Sequence, residues 1–247
     1  YNTIDRNTIE FSKLTTGSTS SYSGGAYIAF TGSSTSLYSS GNHGSYNKIN
    51  GNTMTTTNGN EEGPYAGIYM MSSTTSTYST STINQNELTN NTIKNFHYYG
   101  IWVRNTNGTL IKGNDISRDA VLGVNANSTM YGIYSYYNKS VGRALIIEDN
   151  KIHDLPFKGA MSGISTFYGV YSYRDNYYGT RTGVSKVSGN TIDGVQSSSN
   201  LYPYYVYYSN IANFDDNTSK NILCRGTGNH YGAYLYRSYF ESVQRNF

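Results

Sequence analysis

Charge is scarce in this chain: Asp, Glu, Lys and Arg make up only 13% of its 247 residues, where soluble domains carry about 25%. A disordered segment needs the opposite balance, high charge with few aromatics, and is excluded. Proline occurs three times and cysteine once. A single thiol closes no internal disulfide, and Cys224 sits in the apolar run Ile222-Leu223-Cys224, where it reads as a small buried hydrophobe. No apolar run approaches the ~18 residues of a membrane span, so membrane insertion is not expected. The net charge of +3 is spread thinly, without a block of Lys or Arg to track a phosphate backbone. Nucleic acid is therefore not an expected partner. The opening Tyr1-Asn2-Thr3-Ile4 carries no Met and no charged-then-apolar leader, and reads as a mature or excised segment.

What is abundant is glycine, 26 residues, and tyrosine, 28, alongside Ser, Thr and Asn. Helix formers are too few for an α-helical domain, so an all-β fold over 1–247 as a single domain is expected. Two short frames recur. The first is apolar-x-x-Asn-x-apolar, centred on Asn7, Asn52, Asn91, Asn114, Asn150 and Asn190, with a degenerate seventh read as Thr218/Asn221/Leu223. The second is Gly, a small aliphatic, then an aromatic: Gly25-Ala26-Tyr27, Gly67-Ile68-Tyr69, Gly100-Ile101-Trp102, Gly132-Ile133-Tyr134, Gly169-Val170-Tyr171, Tyr205-Val206-Tyr207 and Gly232-Ala233-Tyr234. The two frames alternate strictly along the chain.

Apolar residues two apart make a short strand with one inward face, and a unit holding two such strands cannot bury those faces alone. If each unit is one turn of a coil, equivalent strands stack in parallel about 4.8 Å apart and the apolar positions form interior columns. Seven units predict seven rungs. The recurring Asn then marks a tight corner, tolerating a left-handed backbone and bonding to the Asn above and below. Ile68, Ile101, Ile133, Val170 and Val206 are expected inside. An antiparallel membrane barrel would need hairpins between strands of alternating direction, and the same ordered pair of motifs in every unit argues against it.

These I-x-x-N-x-I and Y-G-I-Y frames resemble the right-handed parallel β-helix repeat of pectate-lyase-like proteins and of many bacterial surface proteins, over nearly the whole chain. The resemblance implies a right-handed solenoid, an extracellular or cell-surface setting and a carbohydrate as one partner class. It does not supply a catalytic set. Polygalacturonase-like members would require G-H-G and R-x-K segments, and beyond the pair Asp215-Asp216 neither is present. No catalytic residue is assigned and the chain is not expected to be an enzyme. The nearest substitute is a mixed cluster after the Asn corner, Arg118, Asp119, His153, Asp154 and Asp193, which reads as a solvated face. His43, His97, His153 and His230 share no rung position, so no metal site and no cofactor is expected. The Thr-rich stretches raise ice binding, a third-ranked reading, because they fall at different unit positions. Sequons stand at Asn90, Asn91, Asn107, Asn127, Asn138 and Asn217.

The aromatic column Tyr27, Tyr69, Trp102, Tyr134, Tyr171, Tyr207 and Tyr234 is expected on the outside, as a contact surface for sugars or a neighbouring molecule or as a ladder beneath a loop. Tyr99, Tyr131, Tyr168, Tyr204 and Tyr231 have the opposite parity and are expected inward or at the corner. No helix or charged loop is evident to cap the ends, and Val243-Gln244-Arg245-Asn246-Phe247 starts another Asn frame. From Gly232 across a junction to Asn7 of a second copy is 22 residues, within the 14 to 27 that separate the frames elsewhere. The expectation is a structural subunit or repeat of an extracellular filament or cell-surface stalk, with copies of itself as partners through Ile4, Ile9, Val243 and Phe247. A secreted carbohydrate-binding or polysaccharide-cleaving β-helix is the second reading.

Overall fold

The computed structural model describes residues 2–11, 25–31, 45–56, 63–74, 83–118, 129–155, 164–177 and 185–246. Among them there is no helix, and every strand pairing is parallel. The chain winds through three sheets in turn. The first stacks eight strands from Thr3–Asp5 to Ser242–Gln244, and the third stacks seven from Ala26–Phe30 to Ala233–Tyr236. The second runs from Thr8–Phe11 to Thr218–Lys220, with Leu223–Cys224 pairing beside Thr191–Ser197. The coil thus completes seven turns and places the first strand of an eighth.

Register turns the sequence frames into columns. In the first sheet Ile4, Ile49, Leu88, Ile111, Ile147, Val187, Phe214 and Val243 lie directly above one another. Ile9, Met54, Ile93, Ile116, Ile152 and Ile192 do the same in the second sheet, ending on Ser219. The central members of both columns are fully buried. Since an isolated turn has no apolar partner, the stacking is what removes these side chains from water.

Between the first and second sheets the corner is built by two residues with separate jobs. The left-handed backbone falls on Arg6, Gly51, Asn90, Gly113, Asp149, Gly189, Asp216 and Arg245, each one residue before the Asn, not on the Asn expected to adopt it. The Asn itself turns inward. Its backbone N–H and Nδ2 both donate to the Oδ1 of the Asn one turn on, from Asn7 through Asn52, Asn91, Asn114, Asn150 and Asn190 to Asn217 and Asn246, at 2.9–3.2 Å. Each Nδ2 from Asn52 on also donates to a carbonyl of the preceding turn, as Asn114 does to Leu88. The buried amides are satisfied in this way at a site where water cannot reach them. The seventh member is Asn217, not Asn221, because Phe214 supplies the aromatic-apolar position of that frame; Asn221 is exposed and bonds to Asp193.

That assignment revises the junction arithmetic. Asn246 is already a ladder residue, so Asn7 of a directly fused second copy would follow it by only eight residues. The shortest step in the ladder is 23 residues, from Asn91 to Asn114. Direct fusion of two copies would leave no chain for a third-sheet strand.

In the third sheet the interior column is Ile28, Ile68, Ile101, Ile133, Val170, Tyr204 and Ala233. Here Val206 is inside but belongs to the row of Ser135 and Ser172, because Tyr204 takes the place opposite Val170. Tyr204 can be buried because its hydroxyl donates to the carbonyls of Asn190 and Thr218.

Candidate functional site

Strand alternation normally sends every second side chain outward, yet in Thr129–Tyr136 both Gly132 and Ile133 face in. A Cβ on Gly132 would lie 2.6 Å from Ile152 Cδ1 and 2.7 Å from the Gly169 carbonyl oxygen, so the backbone approaches the second-sheet column as only glycine permits. Gly67, Gly100 and Gly169 are equally confined. This break reverses the parity on one side of it. Tyr131 and Tyr134, three apart, both point outward and meet edge to face at 4.9 Å.

The outer surface of the third sheet is consequently tiled with tyrosine. One file runs Tyr99, Tyr131, Tyr168, Tyr202 and Tyr231, with rings 4.9–5.8 Å apart and within 12° of parallel. Parity alone expects Tyr99, Tyr131, Tyr168 and Tyr231 inward or at the corner; the glycine break turns them to the outer face instead. A second file begins with the edge contacts of Tyr69, Trp102 and Tyr134 and continues as stacked Tyr134, Tyr171, Tyr205 and Tyr234, 4.9–5.0 Å apart. A third holds Tyr136, Tyr173, Tyr207 and Tyr236 at 4.9–5.4 Å.

Two residues of the expected aromatic column lie elsewhere. Tyr207 belongs to the third file, and Tyr205 takes its place, since Tyr204 shifts the frame by two. Tyr27 is inside the coil, because Ile28 rather than Ala26 pairs with Ile68 and Ala29 occupies the outward position beside Tyr69. Its hydroxyl bonds to Thr56 Oγ1 and donates to the Lys94 carbonyl.

Ring faces in these files are turned toward one another, and Tyr69, Trp102 and Tyr202 are buried, the Tyr69 hydroxyl against Met71 Sδ. A sugar seeking the π face of a ring meets rims along most of the surface. Burial raises the phenol pKa of Tyr99, Tyr131, Tyr134 and Tyr171 far above the usual tyrosine range, so the face is electrically neutral. Its border carries charge: Arg174 lies 5.4–5.5 Å from the ring centres of Tyr137, Tyr173 and Tyr208, and Arg237 5.2–5.5 Å from those of Tyr236 and Tyr208. Arg174 Nη1 donates to Tyr137 and Arg237 Nη1 to Tyr208, each at 2.6 Å.

The mixed cluster after the Asn corner comes apart. On the outside of the second sheet His153 bonds to Asp154 through Nδ1 at 2.7 Å and to Asp115 through Nε2 at 2.9 Å, while Asp193 bonds to Lys220 and Asn221. Arg118 is buried away from them, and Asp119 lies outside the described residues. Sequence reasoning missed Asp115, two positions before Ser117, the residue that pairs with His153. Among the described residues no group of three or more His, Cys, Asp or Glu side chains could hold a metal ion. Of the sequons, Asn91, Asn138 and Asn217 are buried and out of reach of a glycan. His43 and Asn127 lie outside the described residues.

At the last turn Val243 is 49% exposed and Leu235 37%, at positions that earlier turns cover. A groove between the last strands of the second and third sheets is lined by Leu201, Pro203, Ser219, Ile222, Cys224 and Tyr231. Cys224 is half-buried there and donates to the Ser199 carbonyl. Ile4 and Ile9 at the other end are partly buried against the core; Tyr1 and Phe247 lie outside the described residues.

A family described as the right-handed β-helix region matches residues 84–246. No curated protein and no solved structure matches the chain.

Proposed function

The chain belongs to the right-handed β-helix family, and on that premise we propose that it is a structural unit of an extracellular filament or cell-surface stalk. The observation that carries the reading is the direction of its side-chain contacts. The Asn ladder, the tyrosine files and the ion pairs Lys112 to Glu148, Lys220 to Asp193 and Arg245 to Asp216 all join one turn to the next, parallel to the coil axis. Stacked aromatic pairs are worth roughly 0.5–1.5 kcal/mol each, so the files brace the rod along its length. Ring faces spent on neighbouring rings also weigh against a sugar-binding strip.

In this reading the rod grows when a further turn covers Ser219 in the second sheet and Leu235 in the third. A second copy supplies one in register: its Ile9 would lie over Ser219 and its Glu10 over Lys220, an acid against a base. Stacking of this kind is open-ended, and seven layers of 4.8 Å give an axial repeat near ~34 Å. Negative-stain imaging and sedimentation of the purified protein test the proposal. The expected result is rods that lengthen with concentration, and Ile9→Asp should shorten them while circular dichroism still reports the folded coil. Persistence as a single species at high concentration, unchanged by Ile9→Asp, would overturn it.

A further inference from the structure

Arg118 is a buried charge with unpaired donors. It follows the strand Asp115–Ser117, is only 4% exposed, and contacts Met130 Sδ through Nη1 at 3.9 Å. Its Nε and Nη2 have no hydrogen-bond partner. These two atoms are not arbitrary: their N–H bonds lie side by side along one edge of the planar guanidinium, the pair that grips the two oxygens of a carboxylate. On the turn before it, three residues past Lys94, the partner of Ser117, His97 is 5% exposed and has an unpartnered Nε2. Ser117 pairs with Lys94, whose carbonyl accepts from Tyr27, and Asn95 N–H donates to the Ser117 carbonyl, so Arg118 follows directly on the turn above the segment that leads from Lys94 to His97. Tyr27 cannot serve as counter-charge, for its hydroxyl is committed to Thr56 and Lys94.

An arginine stripped of water and left unpaired costs several kcal/mol, so a folded coil retains one where something neutralises it. We propose that Arg118 and His97 form a carboxylate-binding site inside the coil, in which Nε and Nη2 of Arg118 hold the two oxygens and His97 Nε2 donates to one of them. Burial and the arginine charge together depress the His97 pKa to about 4, and burial lowers that of Arg118 to about 9. An arriving carboxylate offsets both effects. The inference is independent of any end-to-end assembly.

Thermal unfolding of the whole chain in sodium formate, against sodium chloride at equal ionic strength, tests it. Formate should raise the wild-type Tm saturably by several degrees beyond chloride. The excess should vanish in Arg118→Met, which removes the charge, and in Arg118→Lys, which keeps the charge and loses the parallel donors. Formate should also shift the His97 imidazole resonance of the wild type. Without formate Arg118→Met should fold and melt no lower than the wild type, because an apolar side chain replaces an unpaired buried charge. The proposal is overturned by equal responses to the two salts, by a formate excess that survives in either variant, or by an Arg118→Met protein that fails to fold, which would mean the guanidinium is already paired within the chain.

Discussion

Asp175 occupies a place where the turn before it has an amide. Asn138 donates from its backbone N–H and from Nδ2 to Asp175 Oδ1, and Ser172 donates to Oδ2, but no cation is among these partners. Burial therefore outweighs the hydrogen bonds and lifts the carboxyl pKa from 3.8 to about 6. The sign follows from proton uptake. Between pH ~4 and ~6 the folded chain holds a proton that the unfolded chain has lost, so stability falls as pH rises through that window and is flat above it. At ~1.4 kcal/mol per pH unit the loss is about 2–3 kcal/mol at neutral pH. Asp175→Asn should recover it, since Asn138 already shows the arrangement available to an amide there, with its Nδ2 donating to Ser135 Oγ. Urea unfolding at pH 4.5 and 7.5 checks this: the wild type should lose stability between the two, relative to Asp175→Asn, and equal pH responses would contradict it.

At the scale of the strand, two substitutions separate packing from backbone geometry. Ile133→Ala should cost about 2–5 kcal/mol in equilibrium unfolding, because turns above and below hold the column open around the cavity. Gly132→Ala should cost about 1–3 kcal/mol by overpacking against Ile152, and should loosen the contact of Tyr131 with Tyr134. A neutral Ile133→Ala would mean that side chain is not in the buried column, and a neutral Gly132→Ala that the backbone does not approach Ile152 there. The columns were legible in the sequence wherever an aliphatic and an Asn kept fixed spacing, as in Ile111, Asn114 and Ile116. The tyrosine face was not. Its glycine break adds a second inward residue, which a strict two-residue alternation cannot anticipate, and in Tyr204-Tyr205-Val206-Tyr207 several frames fit a tyrosine-rich run equally well. Arg118 was read as a surface charge beside His153 because the turn that carries it inward follows the strand, beyond the reach of periodicity.

For the whole molecule, the difference between eight strands in the first sheet and seven in the third gives the coil a step, like the end of a screw thread. A second copy that meets the second and third sheets brings its Thr3–Asp5 strand to the layer held by Ser242–Gln244, so one of the two must yield. The closeness of Thr3-Ile4-Asp5-Arg6-Asn7 to Ser242-Val243-Gln244-Arg245-Asn246 lets either fill that layer with the same kinds of side chain. The tyrosine files have a further consequence, in the path of light. Trp102 is the only tryptophan, and its ring lies 4.5–5.4 Å from those of Tyr99, Tyr69 and Tyr134, near the start of files that run on to the last turn. Phenol emission overlaps indole absorption, and energy absorbed by a tyrosine of these files can pass ring to ring toward this one sink. Excited in the tyrosine band, the folded protein should emit as a shielded indole despite its 28 phenols, and Trp102→Phe should restore tyrosine emission; a native spectrum dominated by tyrosine would contradict the stacking. The rod is thus an antenna whose colour reports whether its turns remain in contact.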